Sequence, residues 1–256
     1  MSGDERSPIP AHSTEAFSRM VRANGKAVGF LGFVIDLTTR MDKTYDQITI
    51  ALQKLGDDIS DQGDRESVQN HLVRFSWYNR KVLYENTANN FLTYVAELFE
   101  EIINRHPEIL NSNEKISYRE IMQFSRYSDL RDYIVEKKIM DLTHQGVDDL
   151  RTEILSRYNF DLFPKKNIRK RIAKILERRN LLVHAYGKVN RRYQDRTGDH
   201  SCSVGERIRL ERPMRMVGFL SRVAYDIDGR ARKKFRLKRS KLPYSEIITV
   251  GAWLDD

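Results

Sequence analysis

The sequence predicts an all-α protein, and three observations support this. Apolar residues recur at three- and four-residue steps through most of the chain, which is the period of amphipathic helices. Proline or glycine follows or precedes these segments where a helix would end or begin. Alternation typical of strands is confined to short stretches near Ile208 and Ile247. With 256 residues, 40% of them hydrophobic, the chain can bury the core of one large domain, with or without an extension.

The first part of the chain predicts a flexible lead-in followed by two long helical segments. Residues 1–24 are expected to be flexible, because their start is rich in Ser, Pro and mixed charge. Apolar spacing then predicts an N-terminal helical extension over 25–60, as one long helix or two short ones. The segment 65–104 is long for one helix, so a break is expected within it. Its many aromatic residues indicate core or subunit interface rather than a base-stacking platform.

The main helical domain is expected over 61–240, with a tail over 241–256. Ser117 is expected to begin a helix that reaches about Lys137, and Thr143 to cap another.

The later elements of this domain follow a similar logic. The segment 191–207 is polar and is expected to be irregular. Pro213 is expected to begin the last helix, which ends near Leu237. The strand-like stretches near Ile208 and Ile247 allow a short C-terminal β-hairpin.

Positive charge is concentrated in one part of the chain. The total is 45 Lys and Arg against 36 Asp and Glu, but residues 164–239 hold 24 basic and only 7 acidic side chains. Such a block indicates a polyanion partner, with RNA or other nucleic acid first and an acidic membrane surface second. A solvated basic face on ordinary helices is the alternative. The candidate RNA-binding residues are Lys165, Lys166, Arg169, Lys170, Lys188, Arg191 and Arg192.

The sequence predicts a cytoplasmic protein with neither a membrane partner nor a metal or other cofactor. A single cysteine, Cys202, fits a reducing compartment, and neither a secretory signal nor a spanning apolar segment is found. The six histidines lack metal-ligand spacing. A glycine-rich phosphate loop and a nucleophile elbow are also missing from the sequence.

The segment from Lys165 to Tyr186 is predicted to be an amphipathic helix that ends with an arginine and a histidine at fixed spacing. Arg179 and His184 are separated by four residues, and Gly187 supplies the stop signal. His184 is therefore expected in the last turn. The partial negative charge there favours an imidazolium while neighbouring arginines oppose it, so this histidine is expected to titrate near neutrality.

The run Arg179-Asn180-Leu181-Leu182-Val183-His184 resembles the Rx4–6H signature of HEPN domains. The resemblance continues downstream in Gly187, Asn190, Arg191, Tyr193, Thr197-Gly198-Asp199 and Val204-Gly205-Glu206.

What the resemblance implies is a HEPN-type helical bundle, commonly a homodimer, in a family with many metal-independent ribonucleases. Asn180 would orient the arginine or the RNA backbone, although it also suits a plain helix surface. Tyr186 would match a tyrosine that a partner antitoxin modifies with AMP.

These residues suit RNA cleavage by the 2′-hydroxyl, which needs a proton-transfer group and a fixed cation. His184 would be the first and Arg179 the second. Because five residues turn a helix by about 500°, the two side chains do not share one face, and a groove between two such helices related by a twofold axis is expected. In the alternative interpretation, Arg179 forms a structural salt bridge with an acidic residue of 117–158 and His184 caps the helix.

The sequence therefore predicts an endoribonuclease in bacterial phage defence or a toxin–antitoxin pair. Two rivals remain. One is a non-catalytic module that binds RNA or a nucleotide through the basic face. The other is a structural subunit that dimerises, or docks a partner, through the aromatic segment 65–104.

Overall fold

The computed structural model describes residues 12–54, 67–110, 116–144, 146–238 and 240–241. Over these residues the chain forms nine α-helices, one 3-10 turn (Pro107–Leu110) and two strands of two residues each. The helices are α1 (Glu15–Lys54), α2 (Val68–Arg74), α3 (Ser76–Arg105), α4 (Tyr118–Ile121), α5 (Tyr127–His144), α6 (Val147–Tyr158), α7 (Lys166–His184), α8 (Arg191–Thr197) and α9 (Pro213–Phe235). The strands are β1 (His12–Ser13) and β2 (Ser240–Lys241). The all-α prediction is confirmed, while the HEPN-type arrangement of the helices stays a prediction.

Helix α3 is the centre of the molecule and contacts α1, α5, α7 and α9. Its aromatic side chains Tyr84, Phe91, Tyr94 and Phe99 are buried, so the interpretation as core is confirmed for these four, whereas Phe75 and Tyr78 at the start of the segment are exposed. Tyr94 also donates a hydrogen bond to the Ala224 carbonyl of α9 at 2.9 Å, which satisfies its hydroxyl within the core. The predicted break is confirmed as well, since α2 ends at Arg74 and α3 begins at Ser76.

The N-terminal residues are part of the core, so the predicted flexible segment 1–24 is wrong over 12–24. Ala16, Phe17 and Met20 of α1 are buried against the other helices. Thr14 donates a backbone hydrogen bond (3.2 Å) and a hydroxyl hydrogen bond (2.5 Å) to the Asp228 carboxylate of α9. The polar composition of this stretch is typical of an exposed segment, but Ser13, Thr14 and Ser18 are buried and hydrogen-bonded. Residues 1–11 lie outside the described part.

Residues 25–54, predicted as a helical extension of one long helix or two short ones, form one continuous helix with the core residues at the start of α1. Beyond Asn24 it runs past the core, and the Asp42 carboxylate accepts hydrogen bonds from the Ser67 hydroxyl and the Val68 amide, both at 2.9 Å. These contacts hold the start of α2 against α1, so the two helices lie side by side. We call residues 25–54 together with α2 the arm. Residues 55–60 of the predicted extension lie outside the described part.

The two ends of the described chain pair with each other, which differs from the predicted C-terminal β-hairpin. β1 and β2 are antiparallel, with His12 opposite Lys241. Near Ile208 the structure has only an isolated bridge between Lys188 and Arg207. The stretch near Ile247 and the tail residues 242–256 lie outside the described part.

Three helix boundaries differ from the sequence prediction. Ser117 does cap a helix, through a capping box with Glu120, but that helix ends at Ile121 and α5 begins separately at Tyr127. Thr143 lies inside α5, and Gly146 is the N-cap of α6. The segment 191–207, expected to be irregular, contains α8. Among the described residues, no helix combines the length and apolarity needed to cross a bilayer.

Candidate functional site

An open cleft of about 1000 Å³ lies between α3, α7 and α8. Residues at three- and four-residue steps on α3 form one wall, and the C-terminal half of α7 forms the opposite wall. The lining residues are Asn89, Leu92, Thr93, Ala96, Leu176, Glu177, Arg179, Asn180, Leu181, His184, Ala185, Asn190, Arg192 and Tyr193.

The structure brings Arg179, Asn180 and His184 together in this cleft. Asn180 and His184 are four residues apart and therefore share one face of α7. Arg179 starts from a neighbouring position, and its guanidinium is held by two hydrogen bonds. Its Nε donates to the Asn89 side-chain oxygen at 2.9 Å, and one terminal nitrogen donates to the Asn180 side-chain oxygen at 3.2 Å. A single chain thus places all three side chains along one cleft.

Asn89 is a site residue that the sequence reasoning missed. It lies on α3, 90 positions before Arg179, and its side-chain oxygen accepts a hydrogen bond from the Arg179 Nε. The two terminal nitrogens of the guanidinium do not bond to Asn89. A signal was present in the sequence: the polar run Asn86 to Asn90 interrupts an otherwise aromatic and aliphatic helix. Polar side chains in the middle of a core helix require partners, so such a run points to a polar neighbour.

The alternative of a structural salt bridge describes Arg178 rather than Arg179. Arg178 donates to the Asp199 carboxylate at 3.0 Å and to the Tyr193 hydroxyl at 3.1 Å. Within the described residues, Arg179 forms no ion pair and His184 no side-chain hydrogen bond. The His184 ring is exposed at the cleft. Both side chains therefore keep hydrogen-bonding capacity for a ligand.

A polar cluster joins α7 to α8 and to the residues that follow α8. We call Lys174, Arg178, Tyr193 and Asp199 the Asp199 cluster. Asp199 accepts a hydrogen bond from the Tyr193 hydroxyl at 2.5 Å and pairs with Lys174 at 3.0 Å. Burial acts to raise the pKa of the Asp199 carboxyl, but the hydrogen bonds it accepts outweigh burial and hold that pKa well below its usual range. Burial, helped by Asp199, raises the pKa of Tyr193 to about 12, so its hydroxyl remains a donor at neutral pH.

The residues after His184 that carry the family resemblance belong to this cluster or hold it in position. Asn190 is the N-cap of α8 and accepts a hydrogen bond from the Tyr193 amide at 2.9 Å. Gly198 ends α8 with a φ of 63°, a left-handed conformation that glycine adopts without strain. These residues place Tyr193 and Asp199 against α7, so this part of the pattern has a structural explanation.

The turn after His184 contains two consecutive left-handed residues, Tyr186 and Gly187. His184 lies in the last turn of the helix, as predicted, although the helix ends there rather than at Tyr186. A Cβ at position 187 would lie 3.1 Å from a Trp77 ring carbon and 3.2 Å from a Leu182 methyl carbon, so glycine is needed there for space as well as for φ. Tyr186 is exposed and is not among the residues that line the cleft.

The candidate RNA-binding residues divide into free and engaged side chains. Lys165, Lys166 and Lys170 are exposed at the start of α7. Lys188 and Arg191 are exposed elsewhere, and Arg192 is exposed at the cleft.

Arg169, expected to bind RNA, is instead engaged within the protein. It donates to the Phe163 carbonyl at 3.2 Å and pairs with Asp148 at 3.2 Å. Several other arginines of the basic block are also engaged internally. Their ion pairs are Arg171 with Glu211, Arg178 with Asp199, Arg196 with Glu177, Arg230 with Asp226 and Arg232 with Asp228. The positive charge available to a ligand is therefore smaller than the sequence suggested.

The described residues contain no group of three His, Cys, Asp or Glu side chains that could hold a metal ion. Comparison with protein-family models, with curated proteins and with solved structures finds no match to this chain.

Proposed function

We propose that this protein is a metal-independent endoribonuclease of the HEPN type, acting in the cytoplasm in phage defence or as a toxin. The supporting observation is the pairing, in one open cleft, of an exposed histidine with an arginine whose only hydrogen-bond partners among the described residues are amide oxygens. A free imidazole can transfer protons near neutral pH, and an unpaired guanidinium is available to a phosphate.

In the proposed reaction His184 accepts the proton of the RNA 2′-hydroxyl. The 2′-oxygen then attacks the adjacent phosphorus, and the bond from phosphorus to the 5′-oxygen breaks. The leaving 5′-oxygen takes up a proton, which leaves a 2′,3′-cyclic phosphate on one product and a 5′-hydroxyl on the other. Arg179 stabilises the negative charge that builds on the phosphate oxygens through its unused donors. The Asn180 amide nitrogen is a further donor beside it, because its oxygen is already bonded to Arg179.

RNA binding is proposed to use the exposed lysines at the start of α7 together with Arg192. We expect RNA affinity to fall steeply with added salt, because each phosphate neutralised releases a counterion. Replacing Lys165, Lys166 and Lys170 by alanine should lower the slope of log affinity against log salt by roughly 2 to 3. Filter binding across a salt series measures this. Arg169→Ala is the matched control, since that side chain is occupied by Asp148 and Phe163. A flat salt response of the parent protein would contradict RNA binding through this surface.

The proposal includes a homodimer and an antitoxin or other defence-system partner. The Tyr186 hydroxyl is exposed beside the end of α7, so a nucleotidyltransferase partner can reach it. We expect AMP on Tyr186 in protein produced together with its genomic neighbours, seen as a mass increase on the peptide containing that residue. Tyr186→Phe should lose the adduct, and an unmodified Tyr186 in that preparation would speak against such a partner.

A further inference from the structure

The arm carries its most apolar surface on the side that faces away from the molecule. We call this surface the outer stripe. Its residues are Phe30, Phe33, Leu37, Met41, Thr44, Ile48 and Ala51, all of them exposed. On a helix these positions fall within about 80° of arc, because their spacing alternates between three and four residues. Phe30 is 70% exposed and Phe33 is 61% exposed.

The side of α1 that packs on α2 lies roughly 100 to 140° around the helix from the outer stripe. Thr38 is the buried side chain of this stretch, and Asp42 bonds to the start of α2. Within the described part of the chain, the outer stripe is therefore left uncovered. Contiguous exposed apolar surface of this size marks an interaction site.

The geometry points to a second copy of this chain as the partner, and we propose that two arms pair antiparallel through their outer stripes. The stripe is nearly symmetric about a point between Arg40 and Met41. A twofold axis there sets Phe33 opposite Ile48 of the partner, and Phe30, the most exposed residue, opposite the small Ala51. Leu37 likewise faces Thr44, so the two copies of the stripe complement each other as a twofold interface requires.

The area also fits a dimer. With an aromatic side chain counted at roughly 200 Å² and an aliphatic one slightly lower, the five large stripe residues expose on the order of 500 Å² per copy. Two copies would bury at most about 1,000 Å² from these side chains, and specific interfaces bury about 1,200–2,000 Å² in total including their polar rims. The stripe alone therefore approaches the size of a stable dimer interface. This inference concerns what holds two copies together and does not depend on the proposed cleavage.

The test compares two isoleucines that are similarly exposed but lie on different sides of α1. Ile48 lies in the outer stripe and is 53% exposed, whereas Ile50 lies about 160° around the helix and is 51% exposed. We expect the full chain to sediment as a dimer. Ile48→Asp should raise the dimer dissociation constant by about 100-fold or more, because symmetry buries the new charge twice. Ile50→Asp should leave it unchanged. Circular dichroism of both variants verifies that the helices remain folded.

A cysteine at position 41 tests the direction of pairing and does not depend on the aspartate variants. Met41→Cys lies next to the proposed axis and should form an interchain disulfide with its own copy, whereas Phe33→Cys alone should not. Phe33→Cys mixed with Ile48→Cys should cross-link. The native Cys202 is buried, so the parent protein is the background control.

A monomeric parent protein, or a dimer that tolerates Ile48→Asp as well as Ile50→Asp, would overturn the proposal. Self-linked Phe33→Cys would overturn the antiparallel arrangement. RNA cleavage assayed on the same samples reports separately on the nuclease.

Discussion

Arg179→Ala and His184→Ala should each abolish RNA cleavage while leaving the fold intact. Removal of a proton-transfer group or of a charge stabiliser lowers a rate by about 100-fold or more. Neither side chain contributes to the buried core, so thermal unfolding should change little. Cleavage by the parent protein should persist in EDTA, and its products should end in 2′,3′-cyclic phosphates, seen as resistance of the 3′ end to ligation. His200→Ala and Arg215→Ala are matched controls, because both residues are exposed and do not line the cleft.

Two further variants sharpen this test. Asn89→Ala removes the group that holds the Arg179 Nε, so we expect a smaller loss of cleavage rate, about 10-fold, with the guanidinium still present.

Mixing Arg179→Ala with His184→Ala distinguishes two geometries. Recovered cleavage means that Arg179 of one copy serves His184 of another, and continued inactivity means that each cleft works with its own pair. If both single variants cleave like the parent, the nuclease proposal is wrong. RNA binding without cleavage by the parent would support the non-catalytic module instead.

Asp199→Ala should lower the free energy of unfolding by about 3 kcal/mol, because it leaves the largely buried Arg178 guanidinium without its counter-charge. The side chains of Asp199 and Arg178 are only 5% and 12% exposed. Tyr193 would also lose its acceptor. Urea denaturation measures the change. The control is Asp195→Ala on α8, which removes an exposed carboxylate and should be nearly neutral. An unchanged denaturation midpoint for Asp199→Ala would show that the cluster does not stabilise the fold.

The same cluster predicts a specific response to acid. The pKa of Asp199 is lower in the folded protein than in the unfolded chain. Its stabilising contribution is therefore fully present above the unfolded value, near 4, and is lost as the pH falls through the folded-state pKa. Parent and Asp199→Ala proteins should accordingly converge in stability as the pH is lowered below about 4.

The sequence could predict elements whose causes are local. The helical period and the Gly187 stop place His184 at the end of α7, and Pro213 begins α9 as expected. Asn89 could not be found in this way, because its contact with Arg179 joins helices that lie 90 residues apart. Arg169 and Arg178 look identical to other basic residues in the sequence. Only the fold reveals that Arg169 forms an ion pair with Asp148 and Arg178 with Asp199.

The polar residues at the N-terminus misled the prediction for a related reason. Ser13 and Thr14 have the composition of an exposed lead-in, yet both are buried. Their burial is possible only because Asp228, more than 200 residues later, supplies an acceptor for Thr14. Composition reports the average behaviour of such residues and carries no information about a distant partner.

The contact between Thr14 and Asp228 also constrains when this chain can finish folding. The start of α1 is made first during synthesis, but its acceptor on α9 and the pairing partner of β1 are made among the last described residues. The α9 side of Phe17, whose ring lies 6.3 Å from that of Tyr225, therefore stays uncovered until α9 has been synthesised. Helices α3 and α7, which carry Asn89, Arg179 and His184, are complete well before that. The cleft can thus form on a nascent chain whose two ends have not yet met.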